Sequence, residues 1–437
     1  MNLFVKFESM TLRQERELRG LINQFSSDKI FDLCEKGGQK FYIGFDPSAD
    51  SLQIGNMFSV MAAIHLMRYG NKCYFLVGGA TGMIGDPTAK EAERFFLDEK
   101  QLRHNEQCIY HQLKNFLENI KKAYDIKFDY EMVDNYDFYK GMDYLKFLRE
   151  VGKFITVNTM IAKESVKKRI EDPALSITYA EFSYMLIQGY DFLHLFEKHG
   201  VKLQLGGSDQ RGNVTTGMEI IRKKLDQEVF ALTIPLITDA SGKKFGKSEG
   251  NAIRVDQNKN SPYFVYQFFM NVEDALVDKL LKVFSLKTLD EINAIVAKHN
   301  EHPELRYGQK ELASWVVEVL FGPEASGQAQ KISEIFFSEA ERLALVKSLP
   351  KKDILALEKE VGGCEIKGDE LKILDLCVQS GLATSNGEAK KLIQSNSLYC
   401  NEEKISDPQK TFSKADFVNE ILLLRKGKKT FKVVKAG

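Results

Sequence analysis

Two lysines flanking a glycine, in Lys243-Lys244-Phe245-Gly246-Lys247-Ser248, can close over a triphosphate and neutralise charge on a leaving pyrophosphate. Isolated, such a run reads as a solvated loop, but three other local signals precede it, and their order carries more weight than any one of them. Tyr42-Ile43-Gly44-Phe45-Asp46-Pro47, followed by Ser51-Leu52-Gln53-Ile54-Gly55-Asn56, reads as a strand end and a helix start. Its glycines let a ligand approach the backbone, and the helix N-terminus attracts phosphate. Val77-Gly78-Gly79-Ala80-Thr81-Gly82-Met83-Ile84-Gly85-Asp86-Pro87 is a glycine-dense loop that fits neither a Walker loop nor a dinucleotide fingerprint. Tyr184 stands four residues before Gln188, so in a helix the two share a face; with Asp191 they would bring phenol, amide and carboxylate to one pocket. Gly206-Gly207-Ser208-Asp209-Gln210 lies between that cluster and the lysine loop.

The elements that must position these residues are legible in outline. Up to about residue 240, short apolar runs alternate with helical stretches, as in 40–45, 57–69 and 73–77, which predicts βαβ units and a parallel sheet. Residues 101–169 read as a largely helical, tyrosine-rich insertion whose apolar surface could form a dimer interface. Residues after 251 read as helices, with the single tryptophan, Trp315, in an apolar stretch. Gly362-Gly363 marks a boundary before a last unit, where Ser385-Asn386-Gly387-Glu388 has capping-box spacing ahead of a helix carrying Lys390 and Lys391.

With 437 residues, 43% apolar and 28% charged, the chain is long enough for two or three domains. No apolar run approaches the roughly 20 residues that span a bilayer, and the N-terminus has Lys6, Glu8, Arg13 and Glu15 in place of a signal-peptide core, so a cytoplasmic location is expected. The six cysteines are too scattered for a zinc site or a disulfide framework, and the seven histidines form no HExxH; no protein-bound metal is expected. Formal charge balances at 61 against 61, yet from Ile366 onward 13 basic residues face 9 acidic ones, a net of +4 that leaves −4 elsewhere. Arg425, Lys426, Lys428 and Lys429 fall between Ile421-Leu422-Leu423-Leu424 and Phe431-Lys432-Val433-Val434, a hairpin-like pattern that would hold the charges on a turn facing nucleic acid.

Taken in order and spacing, the set resembles the bacterial tyrosyl-tRNA synthetases, class I enzymes whose signatures are the HIGH sequence and the KMSKS loop. The resemblance runs on through Ser261-Pro262-Tyr263 and covers nearly the whole chain; residues 374–429 are similar to a small RNA-binding domain shared with a ribosomal protein. It implies an α/β architecture: a Rossmann-like catalytic domain over 1–248 with the insertion at 101–169 and the KMSKS-type loop at 243–248, an α-helical domain over 249–325 on the tRNA anticodon side, a linker over 326–365, and an α+β RNA-binding domain over 366–437. It further implies that tyrosine is activated with ATP and Mg²⁺ and passed to the 3′ end of tRNA(Tyr) by a homodimer.

Carried over by that resemblance, Tyr42 and Asp191 hold the substrate phenol. Tyr184, Asp86 and Gln188 hold its ammonium, and Gln210 lies near its carboxylate. Gly44, Asp46, Gly55, Gly207, Asp209, Leu236, Ile237 and Lys247 take the nucleotide. Lys244, Lys247 and Ser248, with Gln53 and Asn56 of the HIGH segment, carry the catalysis, while Lys90 and Arg94 assist the pyrophosphate or the acceptor stem. Lys390, Lys391 and the basic turn bind RNA. Two departures stand out: Gln53-Ile54-Gly55-Asn56 replaces both HIGH histidines, and Arg211 follows Gln210 where the family has tryptophan. The first departure favours one alternative, a paralogue that binds RNA without charging it; a tryptophan-specific relative is disfavoured by the Tyr42 and Asp191 pair.

Overall fold

The computed structural model describes residues 10–87, 97–172, 175–238, 245–248, 251–338, 341–366, 371–427 and 430–436. Six strands make the main sheet: β1 (Gln24–Phe25), β2 (Lys40–Phe45), β3 (Lys72–Val77), β4 (Tyr130–Asp134), β5 (Leu203–Gly207) and β6 (Phe230–Ile234). Their order is β1-β6-β5-β2-β3-β4, parallel throughout except for the short antiparallel edge β1. Lys-Cys-Tyr-Phe-Leu-Val of β3 and Phe-Ala-Leu-Thr-Ile of β6 are buried almost end to end, the near-continuous apolar pattern of strands covered on both faces. Strand β2 is followed in sequence by β3 on one side but has β5 on its other, so the carboxyl ends of β2 and β5 border the crevice where open α/β sheets bind ligands.

The helix Ile54–Met67 that follows β2 is apolar nearly all round, with eleven of its residues buried. The helix Tyr179–His199 begins with a reciprocal Thr178/Glu181 capping box and ends at Gly200, whose φ of 69° is left-handed. It packs on Arg211–Leu225 through facing glycines: a Cβ on Gly189 would meet Ile220 Cδ1 at 2.8 Å, and one on Gly217 would meet Phe192 Cβ at 3.0 Å. Only bare backbone permits this approach, and it fixes the helix that carries Gln188 and Asp191.

The chain divides into two compact units, Met1–Asn260 with Phe269–Leu320 and Ser261–Phe268 with Phe321–Gly437. These boundaries differ from those expected. The helices Asp274–Phe284, Leu289–Glu301 and most of Tyr307–Phe321 belong with the sheet: Arg19 donates to the carbonyls of Lys282 and Lys287 at 2.9 and 2.7 Å, and Asn119 to those of Val319 and Leu320. Within the largely helical insertion, β4 pairs with β3 as the edge of the main sheet.

In the second unit the residues expected as a linker form the helices Pro323–Phe337, Arg342–Ser348 and Lys351–Val361. The expected hairpin is present, with Ile421–Lys426 and Thr430–Ala436 paired antiparallel from Ile421↔Lys435 to Lys426↔Thr430. Leu422, Leu424 and Val434 face one core with Leu376 and Leu392, while Ile421, Leu423 and Val433 face another with Ile332 and Leu357. A strand covered on both faces must be apolar at every position, which accounts for the run of four at 421–424.

Candidate active site

At the carboxyl ends of β2 and β5 lies a cavity of about 460 Å³. Its wall includes all six residues assigned above to tyrosine, together with Gln53, Asn56, Gly44, Asp46, Gly55, Gly207, Asp209, Leu236 and Ile237. Lys247 and Ser248 form a short strand against Asn251–Ala252. Lys244, Lys90 and Arg94 lie outside the described residues.

At the cavity floor, Tyr42 and Asp191 are each 2% exposed. The Tyr42 hydroxyl has no hydrogen-bond partner, and neither has the buried Oε1 of Gln188, so two polar atoms stand desolvated at the site of the expected amino acid. Unpaired buried groups of this kind are rare and call for a partner. Burial and the neighbouring Asp191 push the Tyr42 hydroxyl well above the usual phenol range. Burial likewise pushes the Asp191 carboxyl well above the usual carboxylate range, against two donors, Asn135 Nδ2 at 2.9 Å on Oδ2 and the Tyr139 hydroxyl at 3.2 Å on Oδ1.

A chain of side chains joins this floor to the rest of the cavity. Asn135 donates to Thr81 Oγ1 at 3.0 Å, Thr81 to Asp46 Oδ1 at 2.7 Å, and Tyr184 to Asp46 Oδ2 at 2.7 Å. Asn135 Oδ1 also accepts from the Ala80 amide at 2.7 Å, which seats the glycine-dense loop. Gln210 donates to Asp86 Oδ2 at 2.6 Å and accepts from Asn213 at 3.1 Å. Sequence reasoning misses Asn135, Tyr139 and Thr81 as site residues. The signal for Asn135 is its place at the carboxyl end of a parallel strand, but that strand is not legible in the sequence.

At the cavity mouth Gln53 is the N-cap of Ile54–Met67, and its main-chain N–H donates to Asn56 Oδ1 at 2.9 Å. Asn56 thereby uses its acceptor on the cap and keeps its amide donors for the cavity it lines. The lysine-loop segment is tied to this turn by main chain: Ile253 donates to Gly246 O at 2.8 Å, Ile54 to Ile253 O at 3.0 Å, and Val255 to Leu52 O at 3.0 Å. Arg211 opens Arg211–Leu225, exposed, on the wall of a separate cleft of about 420 Å³ with Asn23, Gln24 and Thr215.

Residues 35–338 match the family model of class I tRNA synthetases (W and Y), and residues 353–434 match that of the tyrosine–tRNA ligase SYY-like C-terminal domain. The chain belongs to the tyrosine–tRNA ligase family. It is 44% identical to the tyrosine–tRNA ligase of Bacteroides fragilis over 97% of this chain and 99% of that one. It is 42% identical to that of Streptococcus mutans over 97% and 100%. In structure it is similar to a C-terminally truncated mitochondrial tyrosyl-tRNA synthetase of Aspergillus nidulans, with a TM-score of 0.69 at 27% identity over 76% of this chain and 96% of that one.

The basic residues assigned to RNA in this ligase fall into different environments. Lys390 and Lys391 are exposed on the helix Asn386–Gln394. Arg425 is 8% exposed, lies 3.8 Å over the Tyr399 ring and pairs with Glu402 at 3.0 Å, so its guanidinium is spent inside the unit. Glu402 also pairs with buried Arg342 at 2.6 Å. Lys426 pairs with Glu388 at 2.9 Å, and Lys428 and Lys429 lie outside the described residues. The six cysteines are free, no metal-binding cluster of His, Cys, Asp or Glu occurs among the described residues, and no described helix is long and apolar enough to cross a membrane.

Proposed function

We propose that this tyrosine–tRNA ligase activates L-tyrosine with ATP and passes it to tRNA(Tyr), reading the substrate phenol with Tyr42 and Asp191. The observation that carries the reading is the unpaired, buried Tyr42 hydroxyl beside a buried carboxyl at the floor of the cavity. A phenol pairs with the Tyr42 hydroxyl and donates to Asp191; phenylalanine leaves the Tyr42 hydroxyl unpaired and gives Asp191 no added donor, the costly case for buried polar groups. Asp86, Tyr184 and Gln188 receive the ammonium, and Gln210, held by Asp86, faces the carboxylate.

The carboxylate attacks the α-phosphorus and pyrophosphate leaves, so the protein's part is alignment and charge stabilisation. Gly44, Asp46, Gly55, Gly207, Asp209, Leu236 and Ile237 seat the nucleotide. Lys244, Lys247 and Ser248 neutralise the leaving phosphates, with Gln53 and Asn56 donating from the helix start. Mg²⁺ enters as the ATP complex, in keeping with an ion held mainly by substrate phosphates. Lys90 and Arg94 serve the pyrophosphate or the acceptor stem.

The catalytic role falls to 1–248, the anticodon-side role to the helices of 249–325, and RNA binding to 366–437 through Lys390, Lys391, Lys426, Lys428 and Lys429. Arg425 supports that surface from within. The chain acts as a homodimer through the insertion, where Tyr144, Leu145 and Val157 are 58–76% exposed, an apolar group suited to a second copy. The test is pyrophosphate exchange into ATP with tyrosine, phenylalanine and tryptophan in parallel. Exchange with tyrosine alone supports the reading, and none from folded protein favours the non-charging RNA-binding paralogue that Gln53 suggests.

A further inference from the structure

Tyr139 does not line the cavity; it stands behind Asp191, in the turn Asn135–Tyr139 that leaves β4. Its hydroxyl lies 2.8 Å from the Ile187 carbonyl and 3.2 Å from Asp191 Oδ1. The turn is clamped to the helix Tyr179–His199 by aromatic contacts. The Tyr139 ring meets Tyr190 edge-on at 5.2 Å, Tyr190 donates to the Phe138 carbonyl at 3.3 Å, and Phe138 stacks on His194 at 4.1 Å. The hydroxyl is therefore held against the carboxyl by packing and not by chance of rotamer.

We infer that Tyr139 is a positioning residue for phenol selection: its hydroxyl fixes the Asp191 carboxyl as an acceptor aimed at the substrate. This inference rests on the assignment of Tyr42 and Asp191 to the substrate phenol. Asn135 donates to Oδ2, and the Tyr139 hydroxyl shares its one proton between Oδ1 and the Ile187 carbonyl, so the carboxyl cannot turn without losing one of these contacts. Each oxygen keeps a further lone pair, and the substrate hydroxyl donates there.

The groups around Asp191 make the second donor necessary. Burial opposes the charge, and the carboxylates of Asp46 on the loop after β2 and Asp134 at the end of β4 oppose it further. Tyr42, Tyr184 and Tyr190 stay neutral, since burial pushes each of these phenols upward. The bonds from Asn135 and Tyr139 are what favours the ionised form. A neutral Asp191 would accept more weakly from a phenol and would leave less charge stranded beside phenylalanine, so affinity and discrimination fall together.

The test is Tyr139→Phe in the full-length protein, followed by pyrophosphate exchange. The expected result is a KM for tyrosine raised by roughly tenfold, the size of one hydrogen bond to a charged group, with kcat and the KM for ATP unchanged. Discrimination against phenylalanine falls by a similar factor. The acid limb of kcat/KM for tyrosine moves to higher pH, because a carboxyl deprived of a donor takes up its proton sooner. An unchanged KM and pH profile would overturn the inference. So would an equal loss in kcat and in both KM values, the pattern of a hydroxyl that merely caps the Ile187 carbonyl.

Tyr42→Phe separates the levels: if it leaves the tyrosine KM unchanged, the phenol assignment itself fails and this inference with it. If it raises the KM while Tyr139→Phe does not, only the role of Tyr139 fails.

Discussion

Asn135 donates to Asp191 Oδ2 at 2.9 Å while accepting from the Ala80 amide at 2.7 Å, so one buried side chain joins the edge of the sheet, the glycine-dense loop and the carboxylate on the helix Tyr179–His199. Asn135→Ala removes the donor and strands both partners. A hydrogen bond to a charged group contributes about 1.5–3 kcal/mol, which predicts a rise of about 10–100-fold in the KM for tyrosine. The KM for ATP stays within a few-fold in the same exchange assay, because Asp191 stands at the floor of the cavity away from its mouth. Equal rises in both constants would show that Asn135 shapes the whole cavity.

Gly189→Ala introduces a methyl group 2.8 Å from Ile220 Cδ1 and 3.4 Å from the Gly217 amide nitrogen. Overpacking of this kind costs about 1–3 kcal/mol, read as a lower midpoint of thermal unfolding. The helix that must shift also carries Gln188 and Asp191, so tyrosine binding weakens too. A variant with unchanged midpoint and unchanged tyrosine KM would show that the two helices separate freely.

The sites that can be read in the sequence and those that cannot differ in how their elements are buried. Tyr42 sits in Phe41-Tyr42-Ile43, three consecutive buried residues of a central strand, and Asp191 stands out as a carboxylate within an apolar helix. Strand β4 offers no such cue. Its residues Tyr-Glu-Met-Val-Asp are all only partly buried at the sheet edge, so it lacks the apolar run of a central parallel strand, and Asn135 and Tyr139 beyond it escape notice. Arg425 reads as surface charge because a basic run looks solvated; alternation along its strand brings it to the Glu402 side, where Arg342 arrives from 83 positions earlier in the chain. Pairing across such a separation leaves no local trace.

Glu15 predicts an acid-sensitive anchor for the N-terminal helix Leu12–Leu18. Burial opposes its charge, but Arg19 at 2.8 Å, Arg68 at 3.5 Å and the Tyr69 hydroxyl at 2.7 Å outweigh that and hold the carboxyl below the usual range. Because the folded-state value is depressed, this stabilisation is fully present above the unfolded value of about 4.3 and is lost as pH falls through the folded value. Glu15→Gln removes the counter-charge shared by Arg19 and Arg68 and is expected to cost about 3–5 kcal/mol at neutral pH. In denaturant titrations across pH, the difference between variant and parent narrows toward low pH. A constant difference would show that shape, not charge, matters at this position.

Lys390 and Lys391 differ from Arg425 in a way that separates RNA binding from internal support. The two lysines are exposed with no ion pair to either among the described residues, whereas Arg425 is committed to Glu402 and the Tyr399 ring. Lys390→Glu with Lys391→Glu is expected to weaken tRNA binding and to make it less dependent on salt, the slope falling by about 1 for each phosphate no longer neutralised. Thermal stability and tyrosine-dependent exchange are expected to be unchanged. Arg425→Ala gives the opposite pattern, because it leaves Glu402 partly buried with one cation fewer, and the second unit loses stability. Filter binding at several salt concentrations, alongside melting curves, checks both. A double lysine variant with parental affinity and slope would move the RNA-binding surface away from this helix.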